Sequence, residues 1–310
     1  MSQIKVFNTP NIKEQNFLDF YEWDLISHPK FPIPNLAFYN PHQSTHFKNH
    51  LQTVMNPDEF NLSFFGSGDY HYLTLCILEL KRNPFYLIMF DNHWDLGNQG
   101  IKTNWFTKKF NILSKDDEID YDCASWLWPA TILRNCKGVL HLGQNQSFIP
   151  SFAHLGLDVG RHVIPEGMRY TIEDRFAGIP RIVKDYNFRY LKTDFSKVDD
   201  ILDNNVPEHI DIYITIDKDV LSTDVLTCDY GQGKMTEETM FELLEKIKKK
   251  FGDRIIGVDS CGEPTCGFSG AGFKAHPEEL GTPGYIRKMK PLIAPHNKIN
   301  DRLCELFYKK

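Results

Sequence analysis

Three short clusters in this chain combine carboxylates and imidazoles at close spacing: "GSGDYH" at 66–71, "DNHWD" at 91–95 and "TIDKD" at 215–219. In "DNHWD", Asp91, His93 and Asp95 stand two apart, and Asp217 and Asp219 repeat that spacing. A straight strand would hold Asp91 and Asp95 about 13 Å apart, too far for one ion to touch both. The chain must therefore curl after Asp91, and Gly97 and Gly100 make that loop easier to form. In the remaining cluster Gly66 and Gly68 free the backbone, and Asp69 is the expected helix N-cap. His71 then falls in the first helical turn, where the positive helix end disfavours imidazolium and leaves the neutral, metal-binding ring.

Four aspartates gathered in one place would repel one another unless cations sat among them. Oxygen-rich ligation completed by two imidazoles suits Mn²⁺ better than the sulfur-favouring metals. Two such ions about 3.5–4 Å apart can share a water, lower its pKa and aim it at an electrophilic carbon. Taken singly, each cluster is equally well explained as a capped loop or a solvated face. Their joint occurrence, each at the end of an apolar run, points to two-metal hydrolysis.

Those apolar runs are the elements that must position the clusters. "NLSFFG" (61–66), "FYLIMF" (85–90), "GVLHLG" (138–143), "FRYLKT" (188–193), "DIYITI" (211–216) and "RIIGVDS" (254–260) read as strands. Helix-like stretches lie between them at 70–82 and 126–135, and another starts at Thr236, a cap followed by Glu237 and Glu238 in the first turn. Continuous apolar strands alternating with helices predict an α/β fold, a three-layer αβα sandwich with a mainly parallel, doubly wound sheet. Binding sites of such sheets form at the carboxyl ends of the strands, where these clusters fall. One domain is expected over 1–310, with residues 1–60 packed against it.

In order and context the motifs resemble the ureohydrolase superfamily, the manganese enzymes that include arginase, agmatinase and formimidoylglutamase. That family carries Gly-Gly-Asp-His, Asp-Ala-His-x-Asp, Ser-x-Asp-x-Asp and a Glu near a Pro. The counterparts here are "GSGDYH", "DNHWD", "TIDKD" and "GEP" (262–264), across roughly residues 61–265. The resemblance implies an arginase-like fold and two Mn²⁺ ions, with Asp91 and Asp217 bridging them. His71 and Asp95 would complete one ion, and His93 and Asp219 the other. Asp95 would also handle the proton of the tetrahedral intermediate. Glu263 would receive a planar guanidinium, which pairs bidentately with a carboxylate.

The chain also departs from that pattern. His71 stands one residue later than the family histidine, Glu263 is displaced beside Gly262, and "VLSTD" replaces Asp-Pro after the "TIDKD" cluster. No histidine occurs between 96 and 140, where the family supplies a proton shuttle. "DYDCASWLWP" stands there instead, so Cys123, Ser125 and Trp126 are the expected pocket residues, with Ser125 and Trp126 binding substrate. The Ser/Asn loop that holds the α-amino and α-carboxyl groups of free arginine is not recognisable. The expected reaction is hydrolysis of a guanidino C–N bond with release of urea. The favoured substrate is an arginine side chain within a peptide, giving ornithine, with free arginine second. The rivals are an agmatinase-, formimidoylglutamase- or deacetylase-like amidine or amide hydrolase, the last with a single zinc, and a non-catalytic metal-binding protein. Homo-oligomerisation is expected by analogy.

Bulk properties narrow the classes further. A net charge of −6 and a pI near 6.1 exclude a general nucleic-acid binder, which needs a basic surface to displace counterions. "KIKKK" (246–250) reads as cations at a helix C-terminus. "MSQIKVFNTPNIKEQ" has no continuous apolar region and no run approaches a membrane span, so neither a signal peptide nor a membrane partner is expected. Seven unpaired-looking cysteines suit reduced thiols in the cytoplasm. His42, His46 and His50 would stack on successive helical turns spanning about 12 Å and cannot share one ion. His141 reads as a hydrogen-bonded core histidine, and is the nearest downstream stand-in for the missing shuttle.

Overall fold

The computed structural model describes residues 3–9, 12, 15–27, 41–93, 95, 123, 126–131, 133–143, 188–191, 195–265 and 282–308. Its strands are β1 (Ile4–Phe7), β2 (Trp23–Ile26), β3 (Leu62–Gly66), β4 (Phe85–Phe90), β5 (Cys136–Leu142), β6 (Phe188–Leu191), β7 (Asp211–Asp217) and β8 (Ile255–Cys261). They form one sheet in the order β2-β1-β3-β8-β7-β4-β5-β6, and every neighbouring pair is parallel. The sheet is the α/β arrangement expected. The N-terminal segment does more than pack against it: β1 and β2 extend one edge. Their four-residue runs, "IKVF" and "WDLI", are too short and too polar to stand out in the sequence.

β4 shows why the strands read as unbroken apolar runs. All six of its residues are buried. Tyr86, Ile88 and Phe90 enter one core cluster, while Phe85, Leu87 and Met89 enter another on the opposite face. A strand covered on both sides has no solvent face to make polar.

Helices α1 (Pro41–Val54), α2 (Leu73–Leu78) and α3 (Leu127–Thr131) supply Phe47, Leu51, Leu75 and Leu127 to the second of these clusters. Helices α4 (Val198–Asn205), α5 (Glu237–Phe251) and α6 (Pro283–Phe307) supply Leu202, Leu244 and Leu303 to the first. In α5 the cap is as expected: the Thr236 side chain accepts a hydrogen bond from the Thr239 amide, and three lysines occupy the last turn. The 70–82 stretch is helical only over α2, because a 3₁₀ turn at Gly68–Tyr70 precedes it. Among the described residues no helix is long and apolar enough to cross a membrane. The six described cysteines are free thiols.

The crossover from β3 to β4 leaves a gap that β7 and β8 later fill. The four central strands therefore end side by side, and their carboxyl ends carry the charged clusters.

Candidate metal centre

Asp91 follows the last residue of β4, Asp217 ends β7 and Cys261 ends β8. β3 ends at Gly66 with φ 77°, and Ser67 then caps the 3₁₀ turn by accepting from the Asp69 amide. Ser67, not Asp69, is thus the cap. The Asp69 carboxylate instead accepts from the Tyr230 hydroxyl. His71 sits between this turn and α2, buried to 1% exposure.

His71 Nδ1 lies 3.0 Å from Asp95 Oδ2, 3.3 Å from Asp91 Oδ2 and 3.6 Å from Asp217 Oδ2. Neither His71 Nδ1 nor Asp91 Oδ2 has a hydrogen-bond partner among the described residues. The other oxygen of Asp91 faces the second imidazole, with His93 Nδ1 3.7 Å from Asp91 Oδ1 and 2.6 Å from Asp219 Oδ2. His71, Asp91 and Asp95 form one set of converging donors, and Asp91, His93 and Asp219 form another. Asp91 is shared. Asp217 converges with His71 and Cys261 in a third set, while its Oδ1 accepts from the Asp219 amide at 3.0 Å. The loop curls as anticipated: Asp91 Oδ1 accepts from the His93 amide at 2.5 Å, and Asp95 adopts a positive φ of 46°, sparsely populated for a non-glycine residue.

Buried orphans of complementary type, aimed at the same space, are what a divalent cation would satisfy. The ring tautomer agrees. His71 Nε2 is 2.9 Å from Thr215 Oγ1, whose own hydroxyl donates to Asp259 Oδ1 at 2.6 Å. That hydroxyl can then only accept from Nε2–H, so whenever the ring is neutral its lone pair is on Nδ1, turned to the carboxylates. Thr74 and Tyr213 also donate to Asp259. Replacing Thr215 with valine removes this relay at nearly constant volume. Affinity for divalent metal should fall by about 10–100-fold, measured by competition against a chelating dye.

Without cations the cluster titrates abnormally. Burial, then the neighbouring Asp95 and Asp219 charges, push Asp91 well above the carboxylate range. Burial and Asp219 raise Asp217 to about 7. Burial disfavours the His93 imidazolium, but Asp219 outweighs it and raises that ring to about 10. For His71 the same opposition is won by Asp91 and Asp95, so the carboxylates and not the helix end decide its charge. Each of these groups holds a proton in the folded state that it sheds when unfolded, so metal-free stability declines as pH rises. For Asp217 the loss runs from 3.8 to about 7, and for His93 from 6.5 to about 10. Thermal melts in EDTA should show this decline, and saturating divalent metal should flatten it above neutrality.

Comparison with known proteins bears on the fold. No protein-family profile matches the chain. An uncharacterised protein of Thermotoga maritima is 24% identical over 208 residues, which are 67% of this chain and 60% of that protein's length. The arginase of Bacillus caldovelox superposes over 100% of this chain and 99% of its own, with a TM-score of 0.53 at 9% identity. The agmatine ureohydrolase of Thermoplasma volcanium (TM-score 0.52) and proclavaminate amidino hydrolase from Streptomyces clavuligerus (TM-score 0.53) each cover 99% of this chain and 91% of theirs, both at 12% identity. The fold is that of the ureohydrolases.

On this ureohydrolase fold the remaining candidates take particular places. Trp126 is fully buried; its indole N–H donates to Asp95 Oδ2 at 2.7 Å and its ring centroid lies 4.7 Å from that of His71. It therefore positions the Asp95 carboxylate rather than facing solvent. Ser125 lies outside the described residues, as do the side chains of His42 and His46 and the segment 266–281. The fully buried His141 hydrogen-bonds the Asp91 carbonyl through Nε2 at 2.9 Å, as a core histidine does, and pins the base of the loop.

Glu263 is placed beside Gly262, whose φ is 105° and where an added Cβ would come within 2.7 Å of Asp217 Oδ1. Its Oε1 accepts from Lys218 Nζ at 2.5 Å, Asn300 Nδ2 at 2.9 Å and Gln15 Nε2 at 3.1 Å. Its Oε2 has no hydrogen-bond partner among the described residues. Sequence reasoning passed over Lys218 and Tyr230, and expected Trp126 at the substrate rather than behind Asp95. The signal for Lys218 was present: a lysine between two strand-end aspartates, with no solvent face expected there. Nothing local marks Tyr230, whose ring stands edge-on to His93 at 6.3 Å.

Proposed function

We propose that this chain is a dinuclear metal hydrolase that cleaves a guanidino C–N bond and releases urea. The observation that carries the reading is the pair of donor sets sharing Asp91 at the carboxyl edge of a ureohydrolase-fold sheet. Two divalent ions held there would supply Lewis-acid polarisation and a water activated near neutral pH. Manganese is proposed as the metal, and the His93 side, with only nitrogen and oxygen donors, is its clearest position.

The residues divide the work. Asp91 joins the two donor sets. His71, Asp95 and Asp217 hold the first position, and His93 and Asp219 the second. Asp95, locked by Trp126, is the carboxylate proposed to hold the proton in transit to the leaving amine. Glu263 offers Oε2, the oxygen its three donors leave over, to a guanidinium N–H.

The substrate we favour is an arginine side chain within a peptide, leaving ornithine. The support is the lack of a recognisable anchor for a free amino acid in the sequence. The test compares urea release by the Mn²⁺-loaded protein from free arginine and from arginine-containing peptides. Urea from peptides alone is the expected result; urea from free arginine at equal efficiency would overturn the peptide assignment. The Lys218–Glu263 pair favours a second reading. With its charge already matched, Glu263 is a poorer receptor for a full cation, which suits a neutral amide or amidine carbon. Hydrolysis of amides or amidines without turnover of any guanidine would select that reading.

A further inference from the structure

Cys261 is the last residue of β8, between the strand leading to His71 and the strand ending in Asp217. Register pairs it with Asp217 on one side and Gly66 on the other. Its side chain is fully buried, and Sγ lies 3.5 Å from Asp217 Oδ2. That same oxygen stands 3.6 Å from His71 Nδ1. The sulfur, the carboxylate oxygen and the ring nitrogen all fall within 4.8 Å of one another.

A buried thiol alone would mean little. Cys76, for example, is equally buried and simply caps a helical carbonyl. What distinguishes Cys261 is the company of His71 Nδ1, a 1% exposed group without a hydrogen-bond partner among the described residues, turned toward the same space. The Thr215 relay holds the other ring nitrogen as N–H, so the neutral, ion-binding ring presents its lone pair at Nδ1.

We propose that Cys261 is a thiolate ligand of the ion on the His71 side, acting with His71 and Asp217. The proposal rests on the two-ion reading above and goes beyond it, because it makes the two positions chemically unequal. The His93 side presents nitrogen and oxygen only. The His71 side adds sulfur, which selects thiophilic ions such as Zn²⁺, Fe²⁺ or Co²⁺ over Mn²⁺. On binding, the S–H bond breaks, the sulfur–metal bond forms and one proton leaves to solvent. The protein would then carry a mixed pair when both kinds of ion are present.

The test is a Co²⁺ titration of the metal-free full-length protein, followed by near-ultraviolet absorption, with elemental analysis of the same samples. A thiolate-to-cobalt charge-transfer band should appear, saturate with one equivalent, vanish in Cys261→Ser and persist in Cys123→Ser. X-ray absorption at the cobalt edge of the wild-type protein should show a sulfur neighbour, a measurement that needs no variant to fold. Two ions bound with no such band and no sulfur neighbour would overturn the proposal and leave the two-ion reading standing. A band that survives Cys261→Ser would overturn it equally. Failure to bind any divalent ion would overturn both.

Discussion

Asparagine in place of Asp91 is expected to empty both ion positions at once. One carboxylate oxygen of Asp91 faces His71 and the other faces His93, so it is the residue common to both donor sets. The amide keeps the size of the side chain and can still accept from the His93 amide, but it removes the charge that two cations need. If ion binding contributes several kcal/mol to the reaction, urea release should fall at least roughly a hundredfold. Metal content should fall from two ions toward none. Far-ultraviolet circular dichroism should remain that of the parent, since replacing one of several mutually repelling carboxylates relieves the metal-free fold. A variant retaining both ions and full turnover would remove Asp91 from the centre.

The second large effect concerns stability. Lys218 and Glu263 are both fully buried at their side chains and form an ion pair at 2.5 Å, with Asn300 accepting from Lys218 at 2.9 Å. Burial works against a charged Glu263, yet the Lys218 ammonium and neighbouring donors hold its pKa below the usual range. Lys218→Met leaves that carboxylate without a counter-charge, at a cost of about 3–5 kcal/mol. The double variant Lys218→Met, Glu263→Gln should recover much of the loss, because no uncompensated charge remains. Urea denaturation of the three proteins measures this. A Lys218→Met protein as stable as the parent would mean that water reaches the pair. Glu263→Gln has a second use: a raised KM at constant kcat would assign Oε2 to substrate, and unchanged kinetics would leave it to structure.

The strands that carry chemistry were legible because both faces of the sheet are covered. "FYLIMF" and "DIYITI" have no polar position inside them, so the first charged residue after each run marks the sheet edge. The nearness of His71, Asp91 and Asp217 was legible for the same reason, since they stand at or just beyond the ends of three of the four central strands. Asp217, however, converges with His71 and Cys261 and not, as expected, with both donor sets. β1 and β2 were not legible, since each is only four residues long and interrupted by a charged residue, Lys5 in the fully buried β1 and Asp24 in the edge strand β2. The contacts behind the ligands were hidden too. Trp126 reaches Asp95, and Lys218 reaches Glu263 across 45 positions of chain, through packing that no local pattern encodes. The expectation of an Asp69 cap failed because Ser67 stands two residues ahead of it with a free hydroxyl at the turn.

The most direct measurement is the total number of divalent ions held per chain after reconstitution of the metal-free protein with Mn²⁺ and Co²⁺ together, by elemental analysis after gel filtration. Two ions per chain in the parent, with loss in Asp91→Asn, is the result predicted by donor sets that share one carboxylate. A single ion, or none, would contradict a dinuclear hydrolytic centre and turn the assignment toward a mononuclear amidohydrolase or a binding protein.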